Sequence, residues 1–65
     1  MEIILEAMKE LSSKERMVIQ LRYFKGTNYD GIADALKISE NSAKNEVKDA
    51  VKSLKKLVDE IKRKN

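Results

Sequence analysis

Residues 27–54, TNYDGIADALKISENSAKNEVKDAVKSL, decide the fold. They read as a short helix, a tight turn and a longer helix. Ile32, Ala33, Leu36, Ile38, Ala43 and Val47 stand where two such helices must meet. Helices joined by a turn of about three residues cross steeply, and the second can then turn its outer face toward a nucleic-acid groove.

The first helix of this pair is predicted over residues 28–36, with Thr27 as N-cap and Asp30 as the reciprocal residue. Gly31 inside it costs about 1 kcal/mol relative to Ala. It marks either drift at an exposed position, the simpler reading, or the close approach of another backbone or a phosphate. In the turn, Lys37 stands where a positive φ, and hence glycine, is usual. A left-handed Lys costs on the order of 1 kcal/mol, although its ammonium would lie near a docked phosphate. Ile38 is expected in the core, and Ser39 as the cap of the longer helix.

That longer helix is predicted over residues 40–62. Ala43, Val47, Ala50, Leu54, Leu57 and Ile61 form a heptad-like seam, widened by Val51 and Val58. Lys44, Lys48, Lys55 and Lys62 fall on one side of the seam, and Glu46, Asp49 and Glu60 on the other. Asn41, Asn45 and Lys52 point straight out. The C-terminal half outruns what a small globule needs. It either folds back over the first helix of the chain or projects and pairs with another chain. The last four residues are expected to fray.

Upstream, residues 2–10 predict a helix with Ile4, Leu5, Met8 and Leu11 on one face and Glu2 and Glu6 near its positive end. Ser12 and Glu15 have capping-box spacing, so a second helix restarts there and runs over 13–24. Its stripe is Met17, Val18, Leu21 and Phe24, with Ile19 on the flank and Gly26 as the terminating residue. Tyr23 and Phe24 are expected as core and rim residues, because too few basic residues surround them in sequence for a base-stacking platform.

Sixty-five residues make one domain, 1–65, and so small a chain buries only about 60% of its unfolded surface. No Cys and no His are present, which excludes disulfide staples and the usual zinc-ligand sets. No base or nucleophile of those types is available, the serines sit at caps and turns, and no catalytic constellation, metal site or cofactor is expected. No apolar run approaches the ~20 residues of a membrane span and no signal-peptide pattern opens the chain, so a soluble cytoplasmic protein is expected. The fold class is all-α: a small four-helix domain with a helix-turn-helix and a long C-terminal helix. Residues 1–36 hold five Lys and Arg against six Asp and Glu, and residues 37–65 nine against five. The positive balance in the second half suits a polyanion or an acidic partner there, although lysine-rich helices are commonly just solvated.

Leu11, Glu15-Arg16, Leu21-Arg22-Tyr23-Phe24, Gly26, Tyr29, Ile32-Ala33, Leu36, Ile38-Ser39-Glu40-Asn41, Lys44 and Ala50 together resemble the C-terminal region four of bacterial sigma factors, most closely the extracytoplasmic-function type. The likeness spans about residues 8–57. LuxR-type regulators share the helix pattern, but residues 21–26 are more sigma-like. The resemblance implies a DNA-binding domain, not an enzyme, whose second helix reads a −35-type promoter element in double-stranded DNA. It also implies a hydrophobic contact to the β flap of RNA polymerase. By position, Asn41, Ser42, Lys44, Asn45 and Lys48 would face DNA, with Thr27 and Asn28 near a backbone phosphate and Lys37 and Lys52 beside them. Asn suits an adenine edge, and Lys a phosphate or guanine.

Five positions depart from the family pattern: Lys37 replaces the turn glycine, Ser12 a proline, Gly31 an acidic residue, and Glu46 and Asp49 stand where basic residues are usual. Two acidic groups on the reading face would repel phosphates. The alternative function is therefore a protein-interaction module on the same fold, binding polymerase, an anti-sigma factor or, through the C-terminal helix, a second copy. Since a full sigma factor also carries a region-two domain, the chain is expected to be either the C-terminal domain of a larger parent or a stand-alone protein on the same fold.

Overall fold

The computed structural model describes residues 2–64, without the side chain of Glu2. The expectations for that side chain and for Asn65 lie outside the described residues. Among those residues there are four helices and no strand: α1 (Glu2–Glu10), α2 (Ser13–Ile19), α3 (Tyr29–Leu36) and α4 (Glu40–Lys64). A π-helical turn, Gln20–Phe24, continues α2. The all-α, four-helix expectation is met.

α4 is the beam of the domain. Its 25 residues span roughly 37 Å at 1.5 Å per residue, close to the 39 Å long axis of the molecule. Each of the other three α-helices packs against it. Ala43, Val47 and Ala50 are buried, and two of these three are small, which lets the neighbouring helices come close. Val18 and Ile32 are the largest fully buried side chains, joined by Met8, Leu11, Ile19 and Ala33. Leu54 and Leu57 pack against this core, and α1 lies along α4, so the C-terminal half folds back over α1. The helix continues through Lys64, past the expected end at 62.

Two caps fix α2 at the ends of its neighbours. Ser12 Oγ accepts from the Glu15 backbone N–H at 3.2 Å, and the Glu15 carboxylate accepts from the Ser12 N–H at 3.2 Å, completing the predicted capping box. The Ser53 hydroxyl of α4 donates to the same carboxylate at 2.7 Å. That bond, with the one from the Ser12 backbone, holds the Glu15 carboxyl below its ordinary value of 4.5. Arg16 donates to the carbonyls of Met8, Lys9 and Leu11 at 3.0, 3.1 and 3.1 Å. Its guanidinium thus closes the C-terminus of α1, where carbonyls lack partners within the helix.

Several sequence expectations need correction. Asn28, not Thr27, caps α3: it is extended at φ −78° and ψ 173°, and its Oδ1 accepts from the Gly31 N–H at 3.0 Å. Asn outranks Thr at this position. Gly31 is no drift. A Cβ there would lie 2.5 Å from the Thr27 Cγ2 methyl, so the close approach is by a stiff β-branched side chain rather than a backbone or a phosphate. Ile4 and Leu5, expected on the buried face of α1, are 44% and 56% exposed, and Ala7 is buried in their place. Met17 and Phe24 are also exposed, while Ile19, expected on the flank, is buried. For Phe24 the cause is the π-helical turn, closed by Lys25 N–H to Gln20 C=O at 3.0 Å. Its extra residue per turn carries Tyr23 and Phe24 off the face that Val18 begins.

Lys37 does adopt the left-handed conformation, φ 58° and ψ 46°. The Ile38 N–H bonds the Ala33 carbonyl at 3.0 Å and the Lys37 N–H bonds that of Asp34 at 3.3 Å, a Schellman ending. Ser39 then caps α4, its Oγ accepting from the Ser42 N–H at 3.1 Å.

Candidate nucleic-acid interface

The turn at Lys37 sets the angle between α3 and α4, and the buried seam of α4 sets its rotation. With Ala43, Val47 and Ala50 inward, Asn41, Asn45, Lys48 and Lys52 are left exposed on the outer side. Lys44, Asn45, Lys48 and Lys52 line one open cleft of about 490 Å³. Tyr23, Tyr29 and Lys55 also line it, as do Val47 and Val51 of the seam's edge.

Tyr29 organises one end of the cleft. The Arg22 guanidinium lies 4.4 Å from its ring centroid and the Lys44 ammonium 5.8 Å. Both distances allow cation–π attraction, which holds the two cations beside a phenol. Arg22 is also fixed by donating to the Thr27 carbonyl at 3.3 Å. The chemistry on offer is therefore ammonium groups and phenol hydroxyls, all donors to an anion, with carboxamides on the adjacent outer face.

Thr27, Asn28, Lys37, Asn41 and Ser42 do not line this cleft. Thr27 is half-buried with its methyl against Gly31, and Asn28 is engaged as the α3 cap. The Ser42 hydroxyl accepts from Ser39 at 3.0 Å, so its role is in the helix start. Asn41 and Lys37 are exposed.

Glu46 is paired across the helix interface. Its carboxylate lies 3.1 Å from the Lys14 ammonium of α2, so it turns to the side of α4 away from the cleft. Asp49 is exposed. Sequence reasoning missed Tyr23, Tyr29 and Lys55. Tyr23 has few basic neighbours along the chain; its lysines come from α4, more than twenty residues on. The helical-wheel position of Lys55 beside Lys44 and Lys48 was the one available signal.

A second concave surface lies beside the first, about 340 Å³ and almost wholly apolar. Ile4, Ile19, Phe24 and Leu54 form it, with Tyr23 and Lys55 at its shared border with the basic cleft. Tyr23 and Phe24 are 59% and 62% exposed there. Among the described residues no helix is long and apolar enough to cross a membrane.

A helix-turn-helix with amides and lysines on its second helix is the arrangement of a DNA-binding class of domain. The family described as Sigma-70, region 4, matches residues 1–54, and the chain belongs to that family. It is thus a sigma-factor DNA-binding region, a transcription regulatory domain. It is 40% identical over 55 residues to an RNA polymerase sigma-G factor of Clostridium acetobutylicum, covering 85% of this chain. The chain spans 21% of that relative's length. No solved structure matches it.

Proposed function

We propose that this domain reads a −35-type promoter element in duplex DNA during transcription initiation and contacts RNA polymerase through its apolar groove. The observation that carries the reading is the outer face of α4, where Asn41 and Asn45 are exposed beside a cleft lined by Lys44, Lys48 and Lys52. The similarity to an RNA polymerase sigma factor supports the polymerase contact. Asn41 and Asn45 supply bidentate amides for base edges, and the lysines supply phosphate contacts. The groove of Ile4, Phe24 and Leu54 suits an apolar flap of the polymerase β subunit, and an anti-sigma protein would compete for the same surface. A homodimer through the C-terminal helix would rest on Val58 and Ile61, because Leu54 and Leu57 pack inward. The setting is the cytoplasm, where promoter DNA and polymerase meet.

The test is binding to duplexes enriched from a random pool, over a salt series. Affinity falls steeply with salt, and Asn41→Ala with Asn45→Ala relaxes preference by about 1–3 kcal/mol per contacted base pair. Absence of duplex binding at low salt, in the chain and in any longer parent, rejects the DNA reading. The protein-interaction reading then stands on the exposed Tyr23 and Phe24.

A further inference from the structure

We propose that the cleft between Tyr23, Tyr29 and the lysine flank of α4 is a phosphate clamp for one strand only of the bound duplex. The inference rests on the DNA reading above and adds Tyr23, Tyr29 and Lys55 to the interface.

The two flanks of α4 differ in what covers them. On one, Glu46 is paired with Lys14 and Ser53 donates to Glu15, so α2 occupies that side and closes it with its own polar groups. On the other, Lys44, Lys48, Lys52 and Lys55 share one open cleft with two tyrosines. Among the described residues none of these four lysines is in an ion pair. Like charges gathered along one flank repel, and an anion there relieves the repulsion.

Dimensions then restrict the ligand. Lys44, Lys48 and Lys52 follow one another at about 6 Å of helix rise, a row that suits a repeating anion rather than a single small one. A helix with its side chains is about 10–12 Å across and the major groove about 12 Å wide, so each flank of a docked helix faces its own wall of the groove. The wall facing the lysine row meets cations without a carboxylate partner; the other meets Asp49 and the α2 side, where the Lys14 ammonium is paired with Glu46. The Tyr23 and Tyr29 hydroxyls add neutral donors to the same phosphates, and Arg22 and Lys44, held at the Tyr29 ring, give the clamp a fixed end.

The experiment uses the 65-residue chain and its best-binding duplex. Lys52→Ala with Lys55→Ala should reduce the slope of log affinity against log salt by about 1.8, two contacts at roughly 0.9 each. Preference for that duplex over a scrambled one stays unchanged, as does the melting temperature, since both lysines are exposed. Tyr23→Phe should weaken binding without changing the slope. Neutral methylphosphonates placed along one strand should reproduce the loss, and placed along the other should not. An unchanged slope, or equal losses from the two strands, overturns the clamp while leaving the DNA reading intact. No duplex binding by the unsubstituted chain or a longer parent overturns both.

Discussion

The two flanks of α4 carry polar residues in similar number and use them oppositely. On the α2 side, Glu46 and Ser53 are engaged across the helix interface at 3.1 and 2.7 Å. On the other side, lysines stand in an open cleft next to aromatic rings. A polar group turned toward a packed neighbour is stabilised only by a partner, whereas an exposed one is satisfied by water and remains available. The first flank therefore serves the fold and the second is open to a ligand.

Substitutions on the α2 side should cost stability in proportion to how many partners each residue serves. Arg16→Ala has the largest expected effect. It removes the guanidinium from the carbonyls of Met8 and Lys9 at the end of α1 and of Leu11 just beyond it, a loss of about 2 kcal/mol, and lowers the melting temperature by on the order of 10 °C in so small a domain. A melting temperature within 2 °C of the parent, on an order-of-magnitude scale, would show that water replaces the guanidinium and that α1 does not depend on α2.

Glu15→Ala comes next, with about 1 kcal/mol from the lost capping box and the lost Ser53 bond. The pH dependence gives a separate signature. The folded carboxyl titrates below its ordinary 4.5, so its contribution is fully present above that value and is lost as pH falls through the lowered one. Glu15→Gln should flatten the stability profile in that acid window and leave the neutral plateau within about 1 kcal/mol. An acid slope identical in parent and variant would remove Glu15 from the account.

The smallest effect belongs to Glu46→Gln. The pair's side chains are 54% and 33% exposed, and such surface pairs contribute about 0–1 kcal/mol. Chemical denaturation should place the variant within roughly 0.5 kcal/mol of the parent. A larger loss would mean that this flank depends on charge as well as on caps.

Much of this architecture was legible in the residues because it rests on local signals. Ser12 and Glu15 at capping-box spacing, the small and apolar seam of Ala43, Val47 and Ala50, and the positive φ demanded of Lys37 all operate within a few residues of each other. Periodicity overreached where the backbone left α-helical geometry or a face found no cover. The π-helical turn exposed Phe24, and no described element covers the outer faces of Ile4 and Leu5. Gly31 could not be read at all without seeing the Thr27 methyl that occupies the space of its Cβ.

The sequence by itself determined four helices, their order, the helix-turn-helix and the outward placement of Asn41, Asn45 and Lys52, since caps and a 3.6-residue period act along the chain. Tertiary structure alone decided that Tyr23 and Tyr29 meet the α4 lysines and that Glu46 turns to Lys14. Those contacts join residues far apart in the chain, and their geometry follows from how the helices cross, which no local pattern encodes. The segment 27–54 is thus a helix-turn-helix whose second helix has one flank closed by α2 and one left open.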